Sequence, residues 1–171
     1  MTTHDDPLRL RFLKGMTAVL QTITPDNGYK TNLSNAVLRG RLTFGTKDPL
    51  PMVTILEPPI MPNNFPAPYA TTAKDLPWNL IIQGFVQDDG EHPTDPAHVL
   101  LADVKQAMAT EMLKLRTQTK GDVFGVQMNR LTKVVMDMGF VRPSDDLSSK
   151  AYFWLPVSVI FVEDWLTPYG D

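Results

Sequence analysis

Trp78-Asn79-Leu80-Ile81-Ile82-Gln83-Gly84-Phe85-Val86 runs into an acidic turn, Asp88-Asp89-Gly90-Glu91-His92-Pro93, and then into Asp95-Pro96-Ala97-His98-Val99-Leu100-Leu101. This stretch decides the fold. Its opening segment carries apolar residues on both faces, the pattern of a central strand covered on both sides. Asp95 is the expected N-cap of a helix, and Pro96 at the first helical position gives up no useful donor. Leu101, Val104, Met108, Met112 and Leu115 then recur at three- and four-residue steps and form one apolar face. Asp103, Gln106, Thr110, Lys114 and Thr117 fall on the opposite, solvent-facing side. Lys114, Arg116 and Lys120 sit where the helix dipole favours cations, and Gly121 can stop the helix. A strand thus delivers a long amphipathic helix onto a sheet, and the segment brings no chemistry of its own.

Working outward, a first helix is expected over 7–23, capped by Asp6 with Pro7 behind it. Leu8, Phe12, Met16, Val19, Leu20 and Ile23 form its apolar stripe, with Arg9, Arg11, Lys14 and Gln21 toward solvent. Thr24-Pro25-Asp26-Asn27-Gly28 ends it in a turn. Residues 36–44 alternate, with Leu38, Leu42 and Phe44 on one side and Arg39, Arg41 and Thr43 on the other, as in a half-buried strand with a cationic outer face. That face is either solvated or paired with a neighbouring subunit. A second, short strand spans 52–57. Residues 133–142 predict a further strand, with a helical spacing as the competing pattern. Residues 151–163 predict a last strand, with Phe153, Leu155, Val157, Val159 and Phe161 on one face. Pro156 cannot donate to a ladder and points to an edge or a bulge. The resulting expectation is an α+β fold: a mainly antiparallel sheet of four to five strands with two packed helices, 7–23 and 95–117.

Between these elements lies a Pro-rich loop, 58–77, without charge from Pro58 to Ala73. Its first part, Pro58 to Ala73, holds five prolines together with Ile60, Met61, Phe65 and Tyr69. A loop of this length inside a compact domain is uncommon and is usually functional or disordered. Disorder ordinarily brings charge and few aromatics, the reverse of this balance. A contact loop is therefore expected, with Phe65 and Tyr69 as its contact residues. The C-terminal tail, 164–171, is apolar for a terminus through Trp165, Leu166 and Tyr169.

The chain has 171 residues, which predicts one domain, 1–171. Its formal net charge of −3 gives no sign of a surface that grips nucleic acid or anionic lipid. The absence of cysteine excludes disulfides, thiol catalysis and thiolate metal sites. The first residues lack the basic and apolar regions of a signal peptide, and no apolar run suits a membrane span, so synthesis in the cytoplasm is expected.

Catalytic patterns are missing. Neither G-x-G-x-x-G nor G-x-x-x-x-G-K-[ST] occurs, and no serine sits in a G-x-S-x-G elbow. The histidines are His4, His92 and His98. Asp88, Asp89, Glu91, His92, Asp95 and His98 form the one metal-like constellation, but their spacing follows no recognised ligand pattern. A solvated acidic turn whose anions suit a helix start accounts for them. No cofactor, metal or catalytic residue is expected. The candidate contact residues for a subunit or partner are Arg39, Arg41, Phe65, Tyr69, Asp88, Asp89, Glu91, Trp165, Leu166 and Tyr169.

The order of segments carries a resemblance. An N-terminal helix leads to Gly28-Tyr29-Lys30-Thr31 and Val37-Leu38-Arg39-Gly40-Arg41. Next come Ile55-Leu56-Glu57-Pro58, the Pro-rich loop, and Trp78-Asn79-Leu80-Ile81-Ile82-Gln83-Gly84. Pro96-Ala97-His98-Val99-Leu100-Leu101-Ala102-Asp103-Val104-Lys105 and a closing β segment follow. This layout resembles the tail terminator, or tail-completion, proteins of tailed bacteriophages, over roughly residues 8–163. The resemblance implies a structural virion protein of the tail and neck. It implies a small α/β subunit that assembles as a homohexameric ring, caps the tail tube and joins it to a head-side neck or connector protein. DNA would pass through the lumen without specific binding, which a neutral-to-acidic lining permits. Two other readings stay open: another phage head–tail connector, or a small enzyme with a metal at 88–98.

Overall fold

The computed structural model describes residues 6–43, 45–58 and 73–169, with backbone only at 73–76. The expected contact residues Phe65 and Tyr69 lie outside the described residues, as does Phe44, and the loop expected over 58–77 is corrected at its end, where residues 73–77 already belong to a strand paired with 160–164.

Strands β3 (Ala73–Val86) and β8 (Ala151–Asp164) form the spine. They pair antiparallel along their whole length, from Ala73 opposite Asp164 to Val86 opposite Ala151. Both are rich in β-branched and aromatic residues that suit a pleated, half-buried surface. Around them stand β1 (Val37–Arg39), β2 (Met52–Leu56), β6 (Leu131–Met136) and β7 (Phe140–Arg142). The six strands run β1-β2-β3-β8-β6, with β7 also on β8. Only β1 and β2 pair in parallel; the other pairs are antiparallel. The fold is α+β as expected, with six strands in the main sheet instead of four or five.

Helices α1 (Leu8–Gln21) and α2 (Asp95–Thr117) pack on one face of this sheet. That inner face presents Trp78, Leu80, Ile82, Phe153, Leu155, Val157, Val159 and Phe161, all buried. The alternation over 151–163 is therefore the burial pattern observed. Coverage of β3 on both faces, expected from its apolar run, is confined to its end. Asn79 is exposed, and Ile81 and Gln83 are half-buried, whereas Gly84, Phe85 and Val86 are consecutively buried. Gly84 faces Phe153, and a Cβ there would lie 2.1 Å from the Phe153 ring, so the register needs a residue without a side chain.

Several sequence expectations are corrected. The strand over 36–44 stops at Arg39, because Gly40 turns the chain at φ 68°. Leu42 is accordingly 73% exposed rather than core-facing. The strand over 133–142 is broken into β6 and β7 by Asp137-Met138-Gly139. That break explains Pro156, which is not at an edge. Its carbonyl accepts the Asp137 N–H at 3.0 Å, so its missing N–H faces the interruption, while on the β3 side it sits opposite Ile81. Asp6 does not cap α1, whose N-cap is Pro7; its carboxylate pairs with Lys14 instead. The N-cap of α2 is Thr94, with Asp95 inside the first turn, and α2 ends at Thr117 before reaching Gly121. Arg11 and Asp103, both expected toward solvent, are buried.

A small hairpin was not anticipated. Strands β4 (Asp122–Val123) and β5 (Val126–Gln127) are joined by Phe124 and Gly125, at φ 50° and 71°. Two successive positive φ angles in a two-residue loop give the turn whose twist matches the flanking strands. The Phe124 ring is driven into the core beside Phe12, with centroids 5.2 Å apart. Among the described residues no helix is long and apolar enough to cross a membrane.

Candidate functional surfaces

The face of the sheet opposite the helices is one candidate surface. Inner and outer residues alternate along β8, so Trp154, Ser158, Ile160 and Val162 face outward, with Val135 of β6 and Phe140 of β7 beside them. Trp154, Val135, Val162 and Phe140 are all exposed. A groove of about 500 Å³ lies here, floored by Ile81, Val135, Pro156 and Ser158 and bounded by Pro58. Exposed apolar residues gathered on one face make it a candidate contact surface.

At one end this face is closed. The 143–150 connector comes back to the sheet through Asp145, which binds Tyr152 of β8. Asp145 accepts from Leu147 N–H at 2.9 Å, Ser148 N–H at 3.2 Å, the Tyr152 hydroxyl at 2.9 Å and Arg142 at 3.4 Å. Burial by itself would raise this carboxyl, but the hydrogen bonds from Leu147, Tyr152, Ser148 and Arg142 outweigh it and hold the pKa below 3.8. Burial, then the neighbouring Asp145, raise the Tyr152 hydroxyl above its ordinary value. The sign of the carboxyl effect follows from linkage. A depressed folded pKa contributes stability above the unfolded value, and that contribution is lost as pH falls through and below 3.8. Urea unfolding at pH 6 and pH 3 should therefore show a smaller acid-induced drop for Asp145→Asn than for the parent. Equal drops would mean the connector is not tied down by this carboxylate.

The tail is a second surface. Through Tyr169 it is tied to the fold: Pro168 O accepts from Leu8 N–H at 3.1 Å, and Leu166 N–H donates to Asp164 at 2.9 Å. Arg9 bridges to Glu163 at 3.0 Å and lies 5.4 Å over the Trp78 ring. On this scaffold Trp165, Leu166 and Tyr169 are displayed, with Leu166 74% exposed. Exposed apolar side chains on an anchored segment make it a candidate contact surface.

The charged candidates are not brought together. Arg39 stands at the end of β1, opposite Ile55 and, beyond it, Ile82. Asp88 is six residues further along from Ile82, about 20 Å in extended chain. Arg41 is already paired with Asp48 at 2.6 Å, and its own N–H donates to Thr54. Asp89 accepts the N–H groups of Glu91 and His92 at 2.9 and 2.8 Å, and the bonds from His92 and Glu91 lower its pKa. Asp88 takes Gln87 and Ser144. Within one chain, then, Arg41 and Asp89 serve their own loops, and Asp88 ties its turn to the 143–150 connector. Among the described residues no three acidic or histidine side chains gather as a metal set.

The buried carboxylate of Asp103 was missed by spacing alone. Its Oδ2 accepts Lys30 N–H, Thr31 N–H and the Thr31 hydroxyl at 2.9, 2.7 and 2.8 Å. It thereby fastens the 28–31 turn to α2. Compared with protein-family models and with curated proteins, the chain matches none.

Proposed function

We propose that the chain is a structural subunit of a bacteriophage tail, a tail terminator that forms a ring of six, caps the tail tube and joins it to a head-side neck or connector protein. It works in the virion, passes DNA through its lumen without gripping it, and has no enzymatic activity. The observation that carries the reading is apolar surface held outward by ordered structure. The anchored tail displays Leu166 and Tyr169, and the sheet face opposite the helices displays Trp154 and Val135. A subunit that meets neighbours on more than one side needs such surfaces, and a head-to-tail contact between copies closes a ring when its rotation permits. The segment order described above, which resembles that of tail terminators, supports the choice of family. A net charge of −3 suits a channel for a moving polyanion. Charge contributes to subunit contacts chiefly through Arg39 and Glu91, because Arg41 and Asp89 are engaged within the chain.

Electron microscopy of the purified protein, alone and added to tail tubes, tests this. Rings with a central hole and tubes of uniform length are expected. Leu166→Asp with Tyr169→Ser should abolish ring formation while leaving the circular dichroism spectrum unchanged. A protein that stays monomeric with tubes present, and leaves tube length uncontrolled, removes the proposal. Rings that bind only head-side particles and never tubes would move it to another connector.

A further inference from the structure

Among the described residues no strand pairs with the outer edge of β6. In the β6–β8 ladder Val135 lies opposite Ser158, and Asp137 N–H donates to Pro156. Hydrogen-bonded and non-bonded pairs alternate, so the N–H and C=O groups of Val134 and Met136 point away from β8. Among the described residues none donates to them or accepts from them. Directly beside this edge lies a groove of about 410 Å³ between β6 and the C-terminal half of α2. Met112, Leu113 and Leu115 give it an apolar wall, and Leu113 is 53% exposed. Arg116 and Lys133 stand at its rim, both exposed, and among the described residues neither is paired with a carboxylate.

We infer that this edge takes an extended segment of a partner protein by strand addition, with apolar side chains at alternate positions and acidic ones between. Main-chain bonds to Val134 and Met136 would supply the pairing, and side chains at every second position would fall on the α2 side, against Leu113 and Met112. The intervening positions lie on the Lys133 side, where an acidic residue meets an unpaired cation. The rim charge also argues against the other edge of the same sheet as the occupant. That edge, β1, ends in the exposed Arg39, so joining β1 of one copy to β6 of the next would bring a third cation to an edge that already carries Lys133 and Arg116. The inference stands on the β6 edge alone and does not require the chain to be a tail terminator.

The test uses the full chain labelled with ¹⁵N and a capped octapeptide of alternating valine and glutamate. Saturating peptide should slow amide exchange at Val134 and Met136 at least tenfold. Lys133→Glu, a surface change on the side where the acidic positions fall, should weaken that peptide at least tenfold and admit an alternating valine–lysine peptide in its place. No protection of these amides at millimolar peptide overturns the inference, as does equal binding of the two peptides by the parent chain. Protection that grows with protein concentration in the absence of peptide would also overturn it, assigning the edge to a second copy.

Discussion

Gly15→Ala should lower the free energy of unfolding by about 3 kcal/mol or more, the upper range for overpacking a well-packed site. A helix interior ordinarily gains from this change, by roughly 0.5–1 kcal/mol, because alanine loses less backbone freedom than glycine. Here the steric cost is the larger quantity. A Cβ on Gly15 would stand 2.1 Å from both the carbonyl carbon and oxygen of Phe124 and 2.6 Å from Gly125 N, where real Cβ atoms essentially never come within 3.0 Å. The obstacle is backbone, so no rotamer change relieves it. Nor can the hairpin tip back easily, since the Phe124 ring is buried against Phe12 and Phe124 N–H donates to Glu111 at 3.2 Å. α1 and the β4–β5 hairpin would have to separate. Urea denaturation of the variant checks this, and a gain in stability would show that the hairpin yields and helix propensity decides.

How much of this was legible depends on how local the cause is. The alternation of 151–163 and the helical stripe through Leu101, Val104 and Met108 are set by which face is buried, and the chain writes that in its own spacing. Strand ends are written less clearly. Residues 36–44 alternate well past Arg39, but Gly40 at φ 68° and the Arg41–Asp48 bridge turn the chain away from β2. The β4–β5 hairpin escaped because its turn is Phe124-Gly125 rather than the Asn-Gly or Asp-Gly that signals a two-residue loop. A phenylalanine accepts positive φ here where its ring is buried in the core, which is a tertiary compensation.

The candidate surfaces divide in the same way. The tail was legible because apolar residues at a terminus need no knowledge of the fold to stand out, and the structure anchors and displays them. The Arg39, Arg41 and Asp88–Glu91 charges were legible as charges, but not in their partners. Arg41 reaches Asp48 seven residues on, while Asp88 reaches Ser144, 56 residues away. The groove on the sheet face and the β6 edge, unpaired among the described residues, depend on strand order, which no single segment encodes. Asp103 is the sharpest case. Helical spacing puts it beside Gln106 and Thr110, but its partners are 72 and 73 residues upstream, so nothing local distinguishes it from a solvated acid.

Asp103→Ala should accordingly cost about 3–5 kcal/mol, since hydrogen bonds to a charged acceptor contribute roughly 1.5–3 kcal/mol each and do not add fully when they share one oxygen. The loss has two parts. A residue only 5% exposed gives up its charge-assisted bonds, and the donors of Lys30 and Thr31 lose their acceptor in a partly buried setting. Asp103→Asn separates these parts, because its amide oxygen can stand where Oδ2 stands and accept the same donors without the negative charge. It should recover about half of the loss, given that neutral acceptors contribute roughly half as much as charged ones. The turn itself provides the second readout. In Asp103→Ala the Lys30 and Thr31 amides should lose their protection from hydrogen exchange, while Leu33, whose N–H donates to Ile23 O at 2.8 Å, should keep it until the whole chain unfolds. If the alanine variant unfolds within about 0.5 kcal/mol of the parent, as a surface change would, the carboxylate does not hold the turn, and the join between the 28–31 segment and α2 rests on packing alone.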